Sequence, residues 1–296
     1  MPFVEIFGYR MHYAEQGSGS PILLLHGSPA SSYSWRKVMP ELAKHGRAIA
    51  IDHMGFGQSD KPAIAYSFFQ HATFLEAFID KMALKNITLI IQDWGSALGF
   101  DYAARHEDNV RGIMFYEAII KPYPTWAEFP KSDADDQWRG LFQEMRQGDR
   151  GGPGWQRNVD QNVFITQLLP KLLSVRLPAR EMAEYRKPFE KPEWRVPIWR
   201  FPKEMPIAGD PADMVATVGK YTAAMIRSNL PKLLIWSSTG ATLVAEHVEW
   251  LRRHVKNLTV VELKSGVHFF QESNIDEFLE AFTAWFQHVA PEVLDI

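Results

Sequence analysis

Short apolar runs alternate with longer amphipathic segments along much of this chain. The runs predict strands, in the order FVEIF, RMHYAEQG, PILLLH, RAIAID, ITLIIQ, RGIMFYE, KLLIWS and LTVVEL. The first two are joined around Phe7-Gly8-Tyr9, which predicts a leading hairpin, and the other six are apolar enough to form buried strands. Strands that alternate with helical segments form parallel sheets joined by crossover helices, so the pattern predicts an α/β protein.

One connecting segment shows the helical period clearly. Residues 67–84, SFFQHATFLEAFIDKMAL, carry apolar residues at three-to-four spacing, which is typical of an amphipathic helix. Packing against the core is sufficient to explain its apolar face, and we expect no site on it.

The alternation of strands and helices stops in the middle of the chain. From residue 122 to 213 it is replaced by charged helical patches such as DQWRGLFQEMRQ, a Gly-Gly-Pro-Gly loop at 151–154 and repeated prolines. Strand-like runs then resume with KLLIWS. The pattern therefore predicts a mostly parallel sheet in a core of residues 1–122 and 214–296, interrupted after the sixth strand by a helical cap of residues 123–213.

Composition limits the partners that we expect. The chain has 296 residues, 46% of them hydrophobic, which is enough for a packed core, and no cysteine. A net charge of -3 offers no basic surplus for nucleic acid or an anionic membrane. The first residues, MPFVEIFGYR, show no basic region followed by an apolar run, and no uninterrupted apolar stretch of this sequence is long enough to span a bilayer. We expect a soluble cytoplasmic protein with a small-molecule partner.

The segment IIQDWGSALGF, residues 90–100, predicts a sharp turn from a strand into a helix. Such a turn carries the nucleophile of the G-x-S-x-G elbow, and its central residue here is Asp93. A carboxylate with an ordinary pKa of about 3.9 is ionised at neutral pH and attacks without first losing a proton. Attack on saturated carbon gives an alkyl ester, whereas attack on a carbonyl would give an anhydride. Asp93 therefore favours displacement at saturated carbon.

Hydrolysis of that ester requires a base and a group that orients it. His268, in SGVHFFQE, follows the last strand, where the histidine of a hydrolase comes in the chain order nucleophile, acid, histidine. Glu117 ends the run RGIMFYE, and a carboxylate buried there needs a partner such as a histidine. We predict His268 as the base and Glu117 as the acid, with a surface glutamate as the alternative for Glu117. His26 is expected to be structural.

Two further segments supply candidate donors. The loop LLLHGSPASS, residues 23–32, follows a strand, so the N–H groups of Ser28 and Trp94 are the expected oxyanion hole. The indole N–H of Trp94 can donate but not accept, so beside Asp93 it could hold a departing anion, with a core tryptophan as the alternative. The chain lacks an H-E-x-x-H helix, and we expect neither a metal nor an organic cofactor.

These segments together resemble the haloalkane dehalogenases of the α/β-hydrolase fold over nearly the whole chain. The motifs are HGSPASSYSWR, DHMGFGQSDKP, QDWGSALGF, FYEAIIKPYPTW, FPKEMPIAGDPADM and GVHFFQES. The resemblance implies Asp93 as nucleophile, His268 as base, Glu117 as the acid after the sixth strand and Trp94 as a halide donor. NVFITQLLP is similar to a family segment whose phenylalanine lies against the halide, which implies Phe164. The implied partners are a small apolar halogenated substrate, water and a halide ion, bound by a monomer or small homo-oligomer.

One position departs from the family pattern. Members of this subgroup usually have asparagine in HGNP, whereas this chain has Ser28 in HGSP. A serine hydroxyl can still donate a hydrogen bond to the halide, but it is shorter than an amide arm. Loss of one leaving-group donor would cost about 3 kcal/mol, or a factor on the order of a hundred in rate. We therefore expect dehalogenation to be slow, or confined to bromides and iodides.

Four other functions are compatible with an aspartate at this turn or with the same scaffold. Epoxide hydrolases need cap tyrosines, for which this chain offers Tyr185 and Tyr123, and fluoroacetate-type dehalogenases need an arginine that Trp94-Gly95-Ser96 does not supply. Coelenterazine-oxidising luciferases resemble the same Asp, Glu, His and Trp set, and a non-catalytic small-molecule binder is the fourth. Whatever the substrate, we expect an apolar pocket. Its expected cap residues are Trp126, Phe129, Phe164 and Leu168.

Overall fold

The computed structural model describes residues 2–130 and 137–289, and the strands in these ranges form one sheet. The strands are β1 (Phe3–Ile6), β2 (Tyr9–Gln16), β3 (Pro21–Leu25), β4 (Arg47–Ile51), β5 (Ile87–Asp93), β6 (Val110–Ala118), β7 (Lys232–Trp236) and β8 (Leu258–Glu262). Their order is β1-β2-β4-β3-β5-β6-β7-β8, and every pair from β4 to β8 is parallel. Each strand lies on one of the apolar runs, and the predicted α/β fold is confirmed.

The first two strands form the predicted hairpin. They pair antiparallel with Ile6 opposite Tyr9, so Phe7 and Gly8 make a two-residue turn. Their φ angles are 54° and 82°. Positive φ at both central residues is the conformation of the type I′ turns that match the twist of paired strands.

Both faces of the central sheet are covered. In β3, Leu23 and Leu25 belong to one apolar cluster, and Ile22 and Leu24 belong to the other. Successive side chains of a strand point to opposite faces, so a strand packed on both sides needs an unbroken apolar run. This explains why the central strands are hydrophobic throughout.

The last strand corrects one expectation. The run LTVVEL was predicted as a buried strand, but the residues of β8 are only partly buried or exposed. The cause is its place at the edge of the sheet, where it has a neighbour on one side only. Hydrophobicity along the run could not distinguish an edge strand from a central one.

Helices cover the sheet and fill the segment between β6 and β7. Those in the described ranges are α1 (Met39–Leu42), α2 (Phe68–Lys81), α3 (Trp94–Arg105), α4 (Gln137–Arg146), α5 (Pro153–Trp155), α6 (Leu169–Leu172), α7 (Ala179–Arg186), α8 (Val196–Glu204), α9 (Ala212–Arg227), α10 (Ala245–His254), α11 (Phe270–Ser273) and α12 (Ile275–Val289). α2 confirms the helix predicted within 67–84, and a capping box between Ser67 and Gln70 fixes its start. None of the helices in this part of the chain has the length and apolarity to cross a membrane.

The chain leaves and re-enters the sheet at one point. Tyr123, after β6, accepts a hydrogen bond from the Ala208 N–H at 2.9 Å and donates its own N–H to the Pro206 carbonyl at 2.9 Å. Residues 137–204 between these segments form α4 to α8 with short 3₁₀ and π turns. The predicted cap boundary between residues 213 and 214 falls in the first turn of α9, which packs against α3.

The strand order places a crevice at the carboxyl edge of the sheet. From β3 the chain moves outward to β4 and then returns across β3 to β5. Loops that follow two neighbouring strands in opposite directions leave a gap, and ligands of open α/β sheets bind there. The loop containing Ser28 follows β3, and Asp93 ends β5, so both lie at this crevice.

Candidate active site

Asp93 lies at a strained turn between β5 and α3. Its backbone has φ 50° and ψ -127°, a conformation that non-glycine residues rarely adopt, and its residue surface is 9% exposed. This is the geometry by which a sharp strand-to-helix turn presents a nucleophile. The sequence predicted this turn, and the structure places the Asp93 carboxylate at its tip.

Two glycines allow the turn to approach its neighbours. A Cβ atom on Gly27 would lie 2.2 Å from Asp93 Oδ1, and one on Gly95 would lie 2.2 Å from the Leu25 carbonyl oxygen. Both distances are far below van der Waals contact. Any side chain at either position would therefore move the Asp93 carboxylate or separate α3 from β3.

The Asp93 carboxylate receives backbone N–H groups. The Ser28 N–H donates to Oδ1 at 2.7 Å, and the Trp94 N–H also donates to the carboxylate. Burial raises the pKa of Asp93, and the charge of His268 and these two N–H groups oppose that rise without cancelling it. The N–H groups predicted as an oxyanion hole thus contact Asp93 itself.

His268 lies between the two carboxylates of the site. Its Nε2 is 3.9 Å from Asp93 Oδ2, and its Nδ1 is 3.0 Å from Glu117 Oε2. Burial lowers the pKa of His268, but the hydrogen bond and charge of Glu117 and the charge of Asp93 outweigh burial and raise the pKa overall. The bond at Nδ1 fixes the orientation of the ring and turns Nε2 towards Asp93.

A bulge directs Glu117 into the interior. The pairing of β5 with β6 shifts between Gln92↔Tyr116 and Asp93↔Ala118, which leaves Glu117 without a cross-strand partner, at φ 45°. Its residue surface is 0% exposed, so the surface-glutamate alternative is wrong.

Donors satisfy one oxygen of this buried carboxylate. Besides His268, Glu117 Oε2 accepts the N–H groups of Ala241 and Thr242 at 2.9 and 2.7 Å. Three donors on one oxygen make the position of the carboxylate well defined.

An apolar cavity of about 40 Å³ opens onto Asp93 and His268. Aromatic and aliphatic side chains make up most of its wall, which favours an apolar ligand. Of the four cap residues expected in the pocket, Phe129 and Phe164 line it, whereas Trp126 packs on Phe129 and Leu168 is buried elsewhere. Within the described residues, the lining is Ser28, Asp93, Trp94, Phe129, Phe142, Phe164, Leu172, Pro202, Met205, Ala241, Thr242 and His268.

The three predicted halide contacts all line this cavity. Trp94 is 3% exposed, and its ring stacks on Phe201 with centroids 4.6 Å apart and planes 17° from parallel. Ser28 Oγ is buried and has no hydrogen-bond partner within residues 2–130 and 137–289. Phe164 starts a π turn that ends at Leu168, and such turns are frequent at functional sites.

The tyrosines that epoxide opening would need lie elsewhere. The Tyr185 hydroxyl donates to Glu272 Oε1 at 2.6 Å, and the buried Tyr123 hydroxyl bonds to no group in the described residues. Neither tyrosine lines the cavity. In the part of the chain that the structure describes, the cavity therefore offers no tyrosine pair to an epoxide oxygen.

His26 takes the structural place that we expected. Its Nδ1 is 2.7 Å from the Gly27 carbonyl, and its Nε2 accepts the His53 N–H at 3.1 Å. Burial lowers the pKa of His26. Over the described ranges, no group of three or more His, Asp and Glu side chains is placed to hold a metal ion.

Sequence reasoning missed half of the cavity lining. Ala241 and Thr242 follow β7, and a position after a strand at the carboxyl edge could have indicated them. The other missed residues come from the helical segment, where no motif marks a wall residue. They are Phe142, Leu172, Pro202 and Met205.

The fold and the turn at Asp93 together define an α/β hydrolase, and the family model for the alpha/beta hydrolase fold matches residues 20–275. A haloalkane dehalogenase of Sphingobium indicum is 40% identical over 98% of this chain and 96% of its own length. One of Bradyrhizobium diazoefficiens is 38% identical over 95% and 92%. The crystal structure of haloalkane dehalogenase DbeA from Bradyrhizobium elkani superimposes with a TM-score of 0.93 at 36% identity, covering 98% of both chains. The chain belongs to the haloalkane dehalogenase family.

Proposed function

We propose that this chain hydrolyses haloalkanes to an alcohol and a halide ion through an alkyl ester on Asp93. One observation carries the proposal: the Asp93 carboxylate faces an apolar cavity at the strained turn, with His268 Nε2 3.9 Å from Oδ2. An ionised carboxylate at that position suits attack on saturated carbon, and a histidine at that distance suits hydrolysis of the resulting ester.

The first step is displacement of the halide. Asp93 Oδ1 is held by the Ser28 N–H at 2.7 Å, which leaves Oδ2 as the attacking oxygen. Oδ2 forms a bond to the substrate carbon while the carbon–halogen bond breaks and the halide takes the bonding electrons. The Trp94 indole N–H and the Ser28 hydroxyl donate to the departing halide, and Phe164 lies against it.

The second step is hydrolysis of the ester. His268 Nε2 accepts a proton from a water molecule, whose oxygen attacks the Asp93 carboxyl carbon. Oδ1 then takes the negative charge, where the N–H groups of Ser28 and Trp94 stabilise it. Glu117, 3.0 Å from Nδ1, orients the imidazole and stabilises its protonated form. As this intermediate collapses, the protonated His268 gives its proton to the departing alkoxide, which leaves as the alcohol. The carboxylic acid that remains loses a proton to solvent, which restores the Asp93 carboxylate.

The cavity limits the substrate that we propose. Its aromatic and aliphatic wall favours an apolar haloalkane. Ser28 in place of the usual asparagine favours bromides and iodides, which leave more readily than chlorides. We propose residues 123–213 as the cap that covers this substrate. The protein would act in the cytoplasm, as a monomer or small homo-oligomer without a metal or organic cofactor.

Halide release tests the proposal. The purified protein is mixed with 1,2-dibromoethane or 1-iodobutane in buffer that contains a chelator, and bromide or iodide is measured, with Asp93→Ala as the control. We expect release from the parent protein and none from the variant. No release from either substrate would contradict the proposal and direct the next assays to epoxides, to coelenterazine and to ligand binding.

A further inference from the structure

A buried carboxylate outside the catalytic set joins three segments of the chain. The side chain of Glu272 is 0% exposed and follows His268 by four residues. Its Oε2 is 2.8 Å from Lys37 Nζ and 3.2 Å from Arg36 Nη2, and its Oε1 accepts the Tyr185 hydroxyl at 2.6 Å and a hydrogen bond from Arg36 Nη1. Both oxygens are thus satisfied, one of them by a residue of α7.

These ion pairs fix the position of the Glu272 side chain more than they stabilise the fold. A carboxylate removed from water loses its hydration, and pairing with nearby cations largely compensates for that loss without a large net gain. An apolar set of the same shape could fill the space equally well. What the charges add is direction, because Arg36 and Lys37 bond to specific oxygens of Glu272 and misplacement would leave a buried charge unpaired.

Glu272 limits the movement of the loop that carries the base. Before His268, the loop is tied by the Ala241 N–H, which donates to the Val267 carbonyl at 2.9 Å. After His268, the chain enters α11, where the Glu272 N–H donates to the Phe269 carbonyl at 2.9 Å. The Phe269 ring contacts the His268 ring edge-on with centroids 5.2 Å apart. A displacement of Glu272 would therefore be transmitted to His268 through Phe269.

The partners of Glu272 tie that loop to two other parts of the site. Arg36 ends the 3₁₀ turn Ser32–Trp35, which begins four residues after Ser28, and its guanidinium lies over the Tyr33 ring at 4.1 Å. On the other side, α7 contributes Tyr185 and also Glu181, which contacts Arg36. One carboxylate thus joins the base loop, the loop after β3 and the helical segment above the cavity.

We propose that Glu272 is a positioning residue for the hydrolytic step, acting through the loop that carries His268, with Tyr185 as its contact to α7. The proposal rests on the function proposed above. Attack by Asp93 depends on the turn after β5 and on donors that Glu272 does not touch. Hydrolysis depends in addition on the position of His268 Nε2, and a misplacement of about 1 Å at a catalytic group can cost on the order of a hundredfold in rate.

The test separates the two steps in one experiment. Glu272→Gln keeps the shape of the side chain and removes its charge. Each protein is mixed with 1,2-dibromoethane in single-turnover amounts, bromide release gives the rate of alkylation, and mass spectrometry of quenched samples follows the adduct. We expect alkylation within about twofold of the parent and hydrolysis slower by at least about tenfold, so that adduct accumulates. Tyr185→Phe removes one contact and is expected to act in the same direction by a smaller factor.

Glu184→Gln is the matched control, because Glu184 is an exposed glutamate on the same helix as Tyr185. It should change neither rate. An equal fall in both steps, or no change in either, for Glu272→Gln and Tyr185→Phe would overturn the positioning role. Should Glu272→Gln fail to fold, Tyr185→Phe decides alone. Absence of bromide release from the parent protein would overturn the proposed function itself, a result distinct from a change in the ratio of the two steps.

Discussion

Two buried aspartates stand at the carboxyl ends of strands, each beside a histidine, and only the histidine next to Asp52 is within hydrogen-bond distance of its aspartate. Asp52, directly after β4, has every oxygen engaged. Its Oδ2 is 2.8 Å from His12 Nδ1 and accepts the Gln58 N–H at 2.8 Å, while Oδ1 accepts the Ser32 N–H at 2.6 Å. Burial would raise the pKa of Asp52, but the hydrogen bond and charge of His12 outweigh it, and the pKa is lowered. Asp52 therefore joins the segments of the chain that carry His12, Ser32 and Gln58.

Asp93 also lies beside a histidine and accepts backbone N–H groups, but its histidine does not reach hydrogen-bond distance. Its Oδ1 accepts the Ser28 N–H, whereas Oδ2 is 3.9 Å from His268 Nε2, beyond a direct hydrogen bond. Burial dominates here and raises the pKa of Asp93. An aspartate beside a histidine is therefore not by itself a reactive pair. Reactivity requires in addition a carboxylate oxygen that the neighbouring histidine leaves unbonded.

The largest predicted difference comes from replacing each aspartate by asparagine. Asp93→Asn should reduce halide release by more than about 10⁴-fold, because it removes the nucleophile. Asp52→Asn should leave the rate of the folded protein within about threefold and lower the free energy of unfolding by about 1.5–3 kcal/mol, since it weakens hydrogen bonds to a charged group. Halide release and urea unfolding measure the two effects.

The stability effects should also have opposite signs. The pKa of Asp52 is lower in the folded state, so its ionised form contributes stability at neutral pH that is lost as the pH falls through the folded pKa. The pKa of Asp93 is higher in the folded state, so its ionised form lowers stability at neutral pH. Asp93→Asn should therefore raise the free energy of unfolding. A lower free energy of unfolding in both variants would contradict the difference predicted between Asp52 and Asp93.

A smaller effect is expected on the pH dependence of turnover. Hydrolysis needs neutral His268, whose pKa is raised, so kcat should fall as the pH drops through that raised pKa. Glu117→Gln removes the charge that raises it. The midpoint should move to lower pH, and the maximal kcat should fall about a hundredfold because the ring loses its orientation.

The matched control for this prediction is Glu262→Gln, at an exposed position in β8. Both variants lose one carboxylate, so the net charge changes equally. An unchanged midpoint in Glu117→Gln, or an equal shift in both variants, would show that Glu117 does not control the protonation of His268.

The smallest predicted effect concerns the Ser28 hydroxyl. Ser28 lines the cavity, and its Oγ has no hydrogen-bond partner among the described residues, while its backbone N–H bonds to Asp93 and is unaffected by the side chain. Ser28→Asn should raise the rate of bromide release about tenfold by extending a donor towards the halide, and Ser28→Ala should lower it about threefold. If the Ser28→Asn variant released bromide no faster than the parent protein, the short side chain of Ser28 would not be what limits the rate.

The sequence indicated those parts of the site that local structure determines. An apolar run followed by small residues indicates a sharp turn, so Asp93 and its turn were predicted from the sequence, and His268 was predicted from its place after the last strand. Glu117 was predicted for a similar reason, because it ends the strand-like run RGIMFYE. The bulge that turns it inward comes from the pairing of two strands and has no local signature.

Contacts between distant segments were not recognisable. Met205 and Leu172 reach the cavity only because the helical segment folds over the sheet, and Trp126, which looked equally apolar, packs on Phe129 instead. Tyr185 was considered as a donor to substrate, yet it bonds to Glu272. Hydrophobicity and spacing specify which face of an element is buried, but not which buried side chains meet.

The most direct test of the account is to trap the ester on Asp93. Replacement of the base by His268→Phe should allow alkylation and prevent hydrolysis. After incubation with 1,2-dibromoethane, mass spectrometry of the tryptic peptide 86–105 should find a stoichiometric alkyl adduct on Asp93, absent from the double variant with Asp93→Ala. Bromide release without any adduct on that peptide, or an adduct on another residue, would contradict nucleophilic attack by Asp93.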